Sequence, residues 1–308
     1  ENSTPDRALV RTQLANLSSK AKIRHVFGQA FQYILLEGLS CAPLMKMFMT
    51  INSPYFIGTD PRVGVPNFIE HLMRLNTQMM STDWSGFDQL VEHWEIEDVF
   101  DLFDSILDFP NDMSKAAFHF SRVFFINRKI AGPDGIMYMK HRGVPSGSYF
   151  TNIVDSWVNY RRIQYIHHRL TGRLLEPHLI RVTGDDAIVG LDKELGLNPY
   201  MFEQITYEYS NNWLLSAAKT KFSASGDTID FLQRSLWIGD QTRDNDRVDR
   251  LAMFPEYPVD DKQISAFRAR ALWEDGNYRS PFLAFATAYL EGKYGAIAPE
   301  DAPSHVKR

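Results

Sequence analysis

Residues 181–191 read RVTGDDAIVGL and decide the fold of this chain. Two apolar, β-prone runs flank Gly184, Asp185 and Asp186, a pattern that predicts a tight strand–turn–strand hairpin with carboxylates at its tip. One interpretation is an ordinary solvated turn, because glycine and aspartate are common turn residues. The other is a site for a divalent cation, because carboxylate oxygens suit magnesium or manganese. The tripeptide alone favours the ordinary turn.

A second pair of acids follows an apolar run in residues 79–94, MMSTDWSGFDQLVEHW. We predict a strand that ends at Asp83, then a Ser-Gly bend, then a helix that begins near Asp88. A negative charge is favourable at a helix N-terminus, so Asp88 has a structural explanation. Asp83 at a strand end has no comparable explanation, which makes it the stronger candidate for chemistry.

Three cations alternate in residues 17–28, LSSKAKIRHVFG, at Lys20, Lys22 and Arg24. In an extended strand these three side chains share one face. They repel one another unless an anion lies opposite, and a triphosphate is one such anion. An exposed edge strand protected by positive side chains explains the same pattern, and the residues alone leave both interpretations open.

A loop rich in glycine and serine precedes a helical pattern in residues 143–162, GVPSGSYFTNIVDSWVNYRR. Ser146, Gly147 and Thr151 place hydroxyls and open backbone N–H groups at the start of this helix, an arrangement that suits sugar hydroxyls or phosphate. Capping of the helix by Ser146 is the structural alternative, and the two roles are compatible.

The remaining segments mix helices with one further predicted hairpin. Helical spacing is found within residues 29–56, 66–79, 96–112, 199–209, 261–274 and 280–292. Residues 119–140 predict a hairpin whose neighbourhood is basic, with Arg128, Lys129 and Arg142 suited either to phosphates or to an ordinary surface. Lys219 and Lys221 precede a predicted strand at residues 229–237, and a charged loop follows at 240–249.

The composition is that of a globular protein of more than one lobe. The chain has 308 residues, of which 44% are hydrophobic and 23% charged. A single cysteine, Cys41, excludes an internal disulfide and a cysteine-based zinc cluster. No apolar run has membrane-spanning length. The net charge of −5 argues against a simple nucleic-acid coating protein more than against an enzyme with an enclosed basic channel.

Taken in order, these segments resemble the sequence motifs of viral RNA-dependent RNA polymerases. The segments KAKIRHVFG, DWSGFD, GVPSGSYFT, GDD, the pair Lys219 and Lys221, and FLQRSL correspond to motifs F, A, B, C, D and E. The resemblance covers roughly residues 18–240 and is closest to double-stranded-RNA viruses of the partitivirus type. Six motifs in the correct order are specific, whereas GDD alone is not.

The resemblance implies an α+β fold, a right-hand polymerase with a ferredoxin-like antiparallel palm sheet, fingers and a small helical thumb. The expected division along the chain is fingers at residues 1–76, palm at 77–95, a fingers insertion at 96–142, palm at 143–238 and thumb at 239–308.

The resemblance also implies roles for individual residues. Asp83 and Asp185 are expected to share Mg2+ ions, or Mn2+, with Asp186 as a supporting acid and the Trp84 carbonyl as a further ligand. Lys219, with Lys221 as the second choice, is expected to protonate the departing pyrophosphate. The expected nucleotide-binding residues are Lys20, Lys22, Arg24, Asp88, Ser146, Gly147, Thr151 and Asn152. The expected template contacts are Arg128, Lys129 and Arg142.

One position departs from the usual pattern of the family. Thr151, Asp155 and Asn159 are spaced by four and share one helix face. Where many positive-strand-virus relatives carry asparagine four residues after the threonine, this chain has Asp155. An acid there repels Asp88 unless one of the two is protonated or a donor such as Asn152 intervenes.

The implied activity is template-directed RNA synthesis, in which two metal ions help to join ribonucleoside triphosphates to an RNA 3′ end in viral genome replication and transcription. The implied partners are an RNA template, its product and ribonucleoside triphosphates, with viral capsid protein as a candidate and no membrane segment. The implied location is the virion interior or the host cytoplasm.

Two other functions compete with this interpretation. A reverse transcriptase generally has a bulky aromatic residue where this chain has Asp88, and an aromatic residue before the acid pair where it has Gly184. Ribonucleotides are therefore favoured. A noncatalytic RNA-binding or capsid-associated protein with a decayed palm is the second alternative, and the intact acids Asp83, Asp185 and Asp186 argue against it.

Overall fold

The computed structural model describes residues 3–11, 24–255 and 259–302, with the backbone alone at Arg24. The strands are β1 (Asp6–Arg11), β2 (Arg24–Gly28), β3 (Gln78–Thr82), β4 (Arg128–Ala131), β5 (Met137–Lys140), β6 (Ile180–Thr183), β7 (Asp186–Leu191), β8 (Lys221–Ser223), β9 (Ser235–Trp237) and β10 (Asp240–Thr242). The helices are α1 (Phe31–Thr50), α2 (Pro61–Arg74), α3 (Phe87–Leu90), α4 (His93–Ile106), α5 (Asp112–Ile126), α6 (Thr151–Thr171), α7 (Pro199–Tyr209), α8 (Asn245–Met253), α9 (Lys262–Asp275) and α10 (Pro281–Tyr294). Lys20 and Lys22 lie outside the described residues, and Arg24 begins β2.

The sheet that carries the acidic motifs has four strands in the order β6-β7-β3-β8, and each neighbouring pair is antiparallel. β7 lies between β6 and β3, and every residue of β7 after Asp186 is buried. An apolar run of this kind is expected for a strand covered on both faces. The antiparallel sheet and the helices confirm the predicted α+β class.

A second sheet has the order β2-β1-β4-β5 and includes the strand that begins at Arg24. β1 pairs with β2 in antiparallel and with β4 in parallel orientation, and β4 and β5 form an antiparallel hairpin. The hairpin turn at residues 132–135 agrees with the sequence prediction. Arg24, the last of the three alternating cations, thus begins a strand of a sheet distinct from the one that carries the acids.

The predicted hairpin at residues 119–140 is wrong in its first half, where α5 extends to Ile126. Asn111 caps this helix by accepting a hydrogen bond from the Ser114 N–H. Phe118 and Phe125 are both buried, and because they are seven residues apart, about two helical turns, they lie on the same face of α5. They pack against the ring of Phe100 at centroid distances of 5.7 and 5.4 Å. The alternating aromatic pattern therefore marks the buried face of a helix, not a strand.

Some of the other helix and strand boundaries agree with the sequence predictions, and others differ from them. Asn198 caps α7 through the N–H groups of Tyr200 and Met201, as its Asn-Pro sequence indicates. The strand predicted at residues 229–237 is limited to β9, and the predicted loop at 240–249 contains β10 and the start of α8.

The chain divides into two compact units. Their described residues are 3–11, 24–59 and 71–231 in the first, and 60–70, 232–255 and 259–302 in the second. The first holds both four-stranded sheets, and the second holds the β9–β10 hairpin and helices α8 to α10. The finer division into fingers, palm and thumb stays a prediction. In the described ranges, no helix has both the length and the apolar character needed to cross a bilayer.

Candidate active site

The strand register brings the separate acidic motifs to one end of one sheet. Thr82, the last residue of β3, pairs with Ala187, and Thr183 pairs with Asp186 across the β6–β7 hairpin. Continuing the antiparallel register by one residue sets Asp83 opposite Asp186, where paired backbones lie about 5 Å apart. Residues about a hundred positions apart in sequence therefore lie side by side.

The tip of the hairpin consists of two residues, Gly184 and Asp185. Gly184 has a φ of 59°, a conformation that glycine adopts without steric cost and that suits a two-residue hairpin. Asp185 and Asp186 are exposed, and Asp83 is half-buried. The turn therefore presents both carboxylates outward beside the end of β3.

Helix α6 holds the backbone of this turn from behind. The Gly184 N–H donates to the Ser156 hydroxyl at 2.8 Å, and the Gly184 carbonyl accepts from Nδ2 of Asn159 at 3.0 Å. Oδ1 of Asn159 accepts from the Trp84 indole N–H at 3.0 Å. Asn159, which is fully buried, thus connects the residue after Asp83 to the residue before Asp185.

The bridging role of Asn159 and Ser156 was not predictable from the sequence. The only signal there is the spacing that places Asn159 on the helix face of Thr151 and Asp155. Spacing identifies a shared face, whereas the two partners of Asn159 lie just after β3 and in the β6–β7 turn, segments that the helix meets only after folding.

Replacing Asn159 by alanine is expected to lower the free energy of unfolding by about 2–4 kcal/mol, because it leaves the Trp84 indole N–H and the Gly184 carbonyl buried without partners. Chemical denaturation measures this change. Asn211, which is exposed after α7, provides the control, since its alanine variant should stay within about 0.5 kcal/mol of the native chain. Equal, small effects of the two variants would contradict a bridging role.

The loop before α6 joins three of the predicted motifs. The Ser146 hydroxyl donates to Oδ2 of Asp88 at 2.9 Å, and the Ser146 carbonyl accepts from the Phe27 N–H of β2 at 2.8 Å. Gly147 has a φ of 121°, and a Cβ atom there would overlap the Phe27 carbonyl oxygen. The close approach of β2 to this loop therefore requires glycine at position 147.

The Gly147→Ala variant is expected to lower the free energy of unfolding by about 1–3 kcal/mol, because it combines an unfavourable φ with displacement of β2. Chemical denaturation measures this change. Gly135 is the matched control, with a φ of 79° and open space around its Cα, so its alanine variant has the unfavourable φ without the overlap. A Gly147→Ala chain as stable as Gly135→Ala would show that the approach of β2 does not require glycine.

Asp155 is a buried acid among other acids. Burial first, and then the charges of Asp88 and Asp185, raise the pKa of Asp155 well above its usual value. One of its carboxyl oxygens, Oδ1, is buried and has no hydrogen-bond partner among the described residues. Burial and these charges act in favour of the neutral form of Asp155, and so against the repulsion expected between Asp155 and Asp88.

The two candidate lysines differ in their surroundings. The Asp83 N–H donates to the Thr220 hydroxyl at 3.2 Å, so the segment that contains Lys219 runs beside the end of β3. Lys219 is exposed there. Nζ of Lys221 lies 2.7 Å from the carboxylate of Asp230 and is engaged in an ion pair. β3 and β8 pair Ser81 with Lys221, so the same antiparallel register continued by two residues sets Lys219, and not Lys221, opposite Asp83.

Other predicted site residues make structural contacts. The Thr151 hydroxyl donates to the Pro145 carbonyl at 2.7 Å, and Nδ2 of Asn152 approaches the Thr183 hydroxyl at 3.4 Å. Trp84 forms an isolated antiparallel bridge with Leu215. The hydrogen bonds of this bridge are made by the residues on either side of Trp84, and the Trp84 carbonyl takes no part in them. Asn152 therefore lies beside the hairpin that carries Asp185.

The assignment of Arg128 as a template contact is wrong. Its side chain is 4% exposed and lies 2.6 Å from the carboxylate of Asp6 and 2.8 Å from that of Glu37. A guanidinium enclosed by two buried carboxylates holds the sheet to α1 and is not available to phosphates. Lys129 is half-buried and Arg142 is exposed, and their role as template contacts stays a prediction.

The donor set suits a hard divalent cation. Asp83, Asp185 and Asp186 supply carboxylate oxygens at one end of the sheet, the ligand type that Mg2+ and Mn2+ prefer. In residues 3–11, 24–255 and 259–302, no group of three or more His, Cys, Asp or Glu side chains is arranged so that it could hold a metal ion. The three aspartates therefore suit a cation by the type of their donor atoms and by their position at the strand ends.

An antiparallel sheet that presents acids from a strand end and from a neighbouring hairpin, with a helix behind it, defines a palm-type polymerase fold. The comparisons agree: the family model for viral RNA-dependent RNA polymerase matches residues 1–290, and the chain belongs to that family. Members of this family use divalent metal ions.

Two curated relatives are RNA-directed RNA polymerases of viruses. The one from White clover cryptic virus 1 is 44% identical over 62 residues, which are 19% of this chain and 10% of the relative. The one from Cryptosporidium parvum virus 1 is 26% identical over 235 residues, 68% of this chain and 43% of the relative. The chain thus spans less than half the length of these curated relatives.

Solved structures share the fold. The RNA-dependent RNA polymerase of a human picobirnavirus, as an insertion-loop deletion mutant, has a TM-score of 0.72 at 16% identity, covering 98% of this chain and 58% of that one. The Sicinivirus 3Dpol RNA-dependent RNA polymerase has a TM-score of 0.76 at 16% identity, covering 99% of this chain and 66% of that one.

Proposed function

We propose that this protein is an RNA-directed RNA polymerase that joins ribonucleoside triphosphates to an RNA 3′ end in viral genome replication and transcription. The observation that carries the proposal is the strand register, which pairs Thr82, the residue before Asp83, with Ala187, the residue after Asp186. Family membership supports the reaction class.

The carboxylates of Asp83, Asp185 and Asp186, with the Trp84 carbonyl, are the proposed holders of two divalent cations, Mg2+ by preference. When bound, such ions activate the attacking hydroxyl and stabilise the leaving oxygen. The chain itself fixes where the acids stand: Asn159 hydrogen-bonds to both Trp84 and Gly184, so the two acidic segments keep one relative position.

The incoming nucleotide is proposed to lie between the loop before α6 and the acids. The Ser146–Asp88 hydrogen bond prepares an acceptor and a hydroxyl for the ribose, and Thr151 and Asn152 lie on the first turn of α6. Asp155 is buried in the same region, close enough to Asp88 and Asp185 for their charges to raise its pKa. Lys20, Lys22 and Arg24 remain proposed ligands of the triphosphate.

The proposed partners are an RNA template, its product and ribonucleoside triphosphates, with Lys129 and Arg142 as template contacts. Viral capsid protein is a proposed further partner. The proposed location is the virion interior or the host cytoplasm. These proposals rest on the family, whose members copy viral RNA.

Lys219 is the proposed general acid for pyrophosphate. The Lys219→Ala variant is expected to lower the single-turnover incorporation rate about 100-fold. Lys221→Ala, which removes only an exposed ion pair with Asp230, should change the rate less than about threefold. The reverse order of effects would assign the role to Lys221.

The direct test is extension of an RNA primer on an RNA template, with ribonucleotides and deoxyribonucleotides supplied separately, with and without EDTA. The proposal predicts metal-dependent incorporation of ribonucleotides. Selective incorporation of deoxyribonucleotides would identify a reverse transcriptase. Binding of the template without incorporation of either nucleotide would identify a noncatalytic RNA-binding protein.

A further inference from the structure

Tyr55 lies between α1 and α2, outside every motif of the polymerase resemblance. We infer that Tyr55 is a positioning residue of the nucleotide site: its hydroxyl orients the side-chain amide of Asn152, so that the amide nitrogen donates to a sugar hydroxyl of the incoming ribonucleotide. This inference rests on the proposed function, in which Asn152 binds the nucleotide. It adds a residue that acts through Asn152 and does not itself touch the substrate.

The backbone of Tyr55 is fixed to the strand that leads into the acidic turn. The Phe56 N–H donates to the Val182 carbonyl at 2.8 Å, and the Val182 N–H donates to the Pro54 carbonyl at 2.9 Å. Tyr55 thereby forms a parallel bridge with Val182, which belongs to β6. Because β6 leads directly into the turn, these hydrogen bonds fix the position of Tyr55 relative to the acids.

The ring of Tyr55 is held in one orientation by packing. Tyr55 is 5% exposed, and its ring meets that of Phe48 in α1 edge-on, at a centroid distance of 5.9 Å and an interplanar angle of 83°. Burial raises the pKa of the Tyr55 hydroxyl above its ordinary value. The hydroxyl therefore stays protonated at neutral pH and is available as a hydrogen-bond donor.

A hydrogen bond from Tyr55 sets the orientation of the Asn152 amide. The Tyr55 hydroxyl donates to Oδ1 of Asn152 at 2.5 Å, and since an amide has one acceptor oxygen and one donor nitrogen, this contact decides where Nδ2 lies. Nδ2 approaches the Thr183 hydroxyl at 3.4 Å and lies 3.6 Å from the position that a Cβ atom on Gly184 would occupy. Nδ2 carries two hydrogens and Asn152 is exposed, so one N–H remains for a ligand beside the turn that carries Asp185.

Ser156 is a second polar neighbour of the Tyr55 hydroxyl. The Ser156 hydroxyl donates to the Asn152 backbone carbonyl at 2.6 Å and accepts from the Gly184 N–H at 2.8 Å. Both of these contacts hold the backbone, whereas the contact from Tyr55 holds a side chain. Loss of the Tyr55 hydroxyl should therefore weaken the nucleotide contact and leave the turn, with its carboxylates, in place.

The test is a double-mutant cycle on single-nucleotide incorporation, with Tyr55→Phe, Asn152→Ala and the double variant. Tyr55→Phe keeps the ring, so it should raise the KM for ribonucleotides about fivefold, the factor expected for one lost hydrogen bond, and change kcat less than about twofold. In the Asn152→Ala background the same substitution should change neither constant. Tyr138→Phe is the control, because it removes an exposed hydroxyl that donates to Asp134 in the β4–β5 hairpin, and it should keep the native KM.

Two nucleotide analogues identify the contacted sugar hydroxyl. The KM values for a 2′-deoxynucleotide and a 3′-deoxynucleotide are measured in the native chain and in Tyr55→Phe. We expect the analogue that lacks the contacted hydroxyl to have the same KM in both chains, and the other analogue to show the rise. A rise for both analogues would overturn the inference, because the Asn152 amide would then contact some other part of the nucleotide.

Two further results would overturn the positioning role. One is a native KM in Tyr55→Phe. The other is an effect of Tyr55→Phe that persists in the Asn152→Ala background, because Tyr55 would then act through another group such as Ser156. A native chain that incorporates no nucleotide would refute the proposed function itself, whereas either of these results in an active native chain refutes the role of Tyr55 alone.

Discussion

The Asp185→Asn variant is expected to lose metal-dependent ribonucleotide incorporation by at least about 100-fold, because a neutral amide at the hairpin tip cannot replace a carboxylate as a cation ligand. Asp185 is exposed, so the substitution should leave the thermal unfolding midpoint nearly unchanged. Single-turnover extension of an RNA primer, with Mg2+ at saturating nucleotide, measures the loss.

Asp112 provides the matched control for this variant. It is exposed in the first turn of α5 and is outside every predicted motif, so Asp112→Asn should retain the native rate. A native rate in Asp185→Asn would exclude the hairpin from the chemistry. A matching loss in both variants would show that net charge, and not the hairpin carboxylate, limits the reaction.

Replacing Arg128 by methionine is expected to lower the free energy of unfolding by about 3–5 kcal/mol, since it leaves two buried carboxylates without their cation. Asp6 and Glu37 are 3% and 2% exposed, and Glu37 also accepts hydrogen bonds from the Ser148 hydroxyl and the Tyr149 N–H. Removal of the guanidinium therefore disturbs contacts from β4 to the loop before α6. Denaturant titration gives the value.

Arg142 is the control that distinguishes a cation with a structural role from a cation that binds RNA. Arg142 is exposed, so the free energy of unfolding of Arg142→Met should lie within about 0.5 kcal/mol of that of the native chain. The variant should bind an RNA duplex more weakly, and its binding should depend less on the salt concentration. Arg128→Met, assayed where it is folded, should bind the same duplex like the native chain. Weakened RNA binding by folded Arg128→Met would restore its assignment as a template contact.

Patterns confined to neighbouring residues were predictable from the sequence. The β6–β7 hairpin follows from β-prone runs around Gly184, and the start of α7 follows from the Asn198-Pro199 pair. In both cases a special backbone conformation or a cap lies within three residues of its cause. The order of motifs then carried the polymerase resemblance.

What the sequence did not predict depends on contacts between distant segments. Arg128 looked like one of several surface cations, and only the approach of β1 and α1 shows that it neutralises Asp6 and Glu37. Alternating aromatics before it looked like a strand, because a buried helical face and a strand can share apolar residues over a short run. Asn159 offered no signal beyond a shared helix face.

The acid that follows β3 and those of the β6–β7 hairpin are proposed to share cations at one end of the sheet. Anomalous diffraction from crystals soaked in Mn2+, of the native chain and of Asp83→Asn, tests this. We expect manganese peaks within coordination distance of Asp83 and Asp185 in the native chain, and weaker peaks in the variant. Manganese bound elsewhere, with none between these two residues, would contradict it.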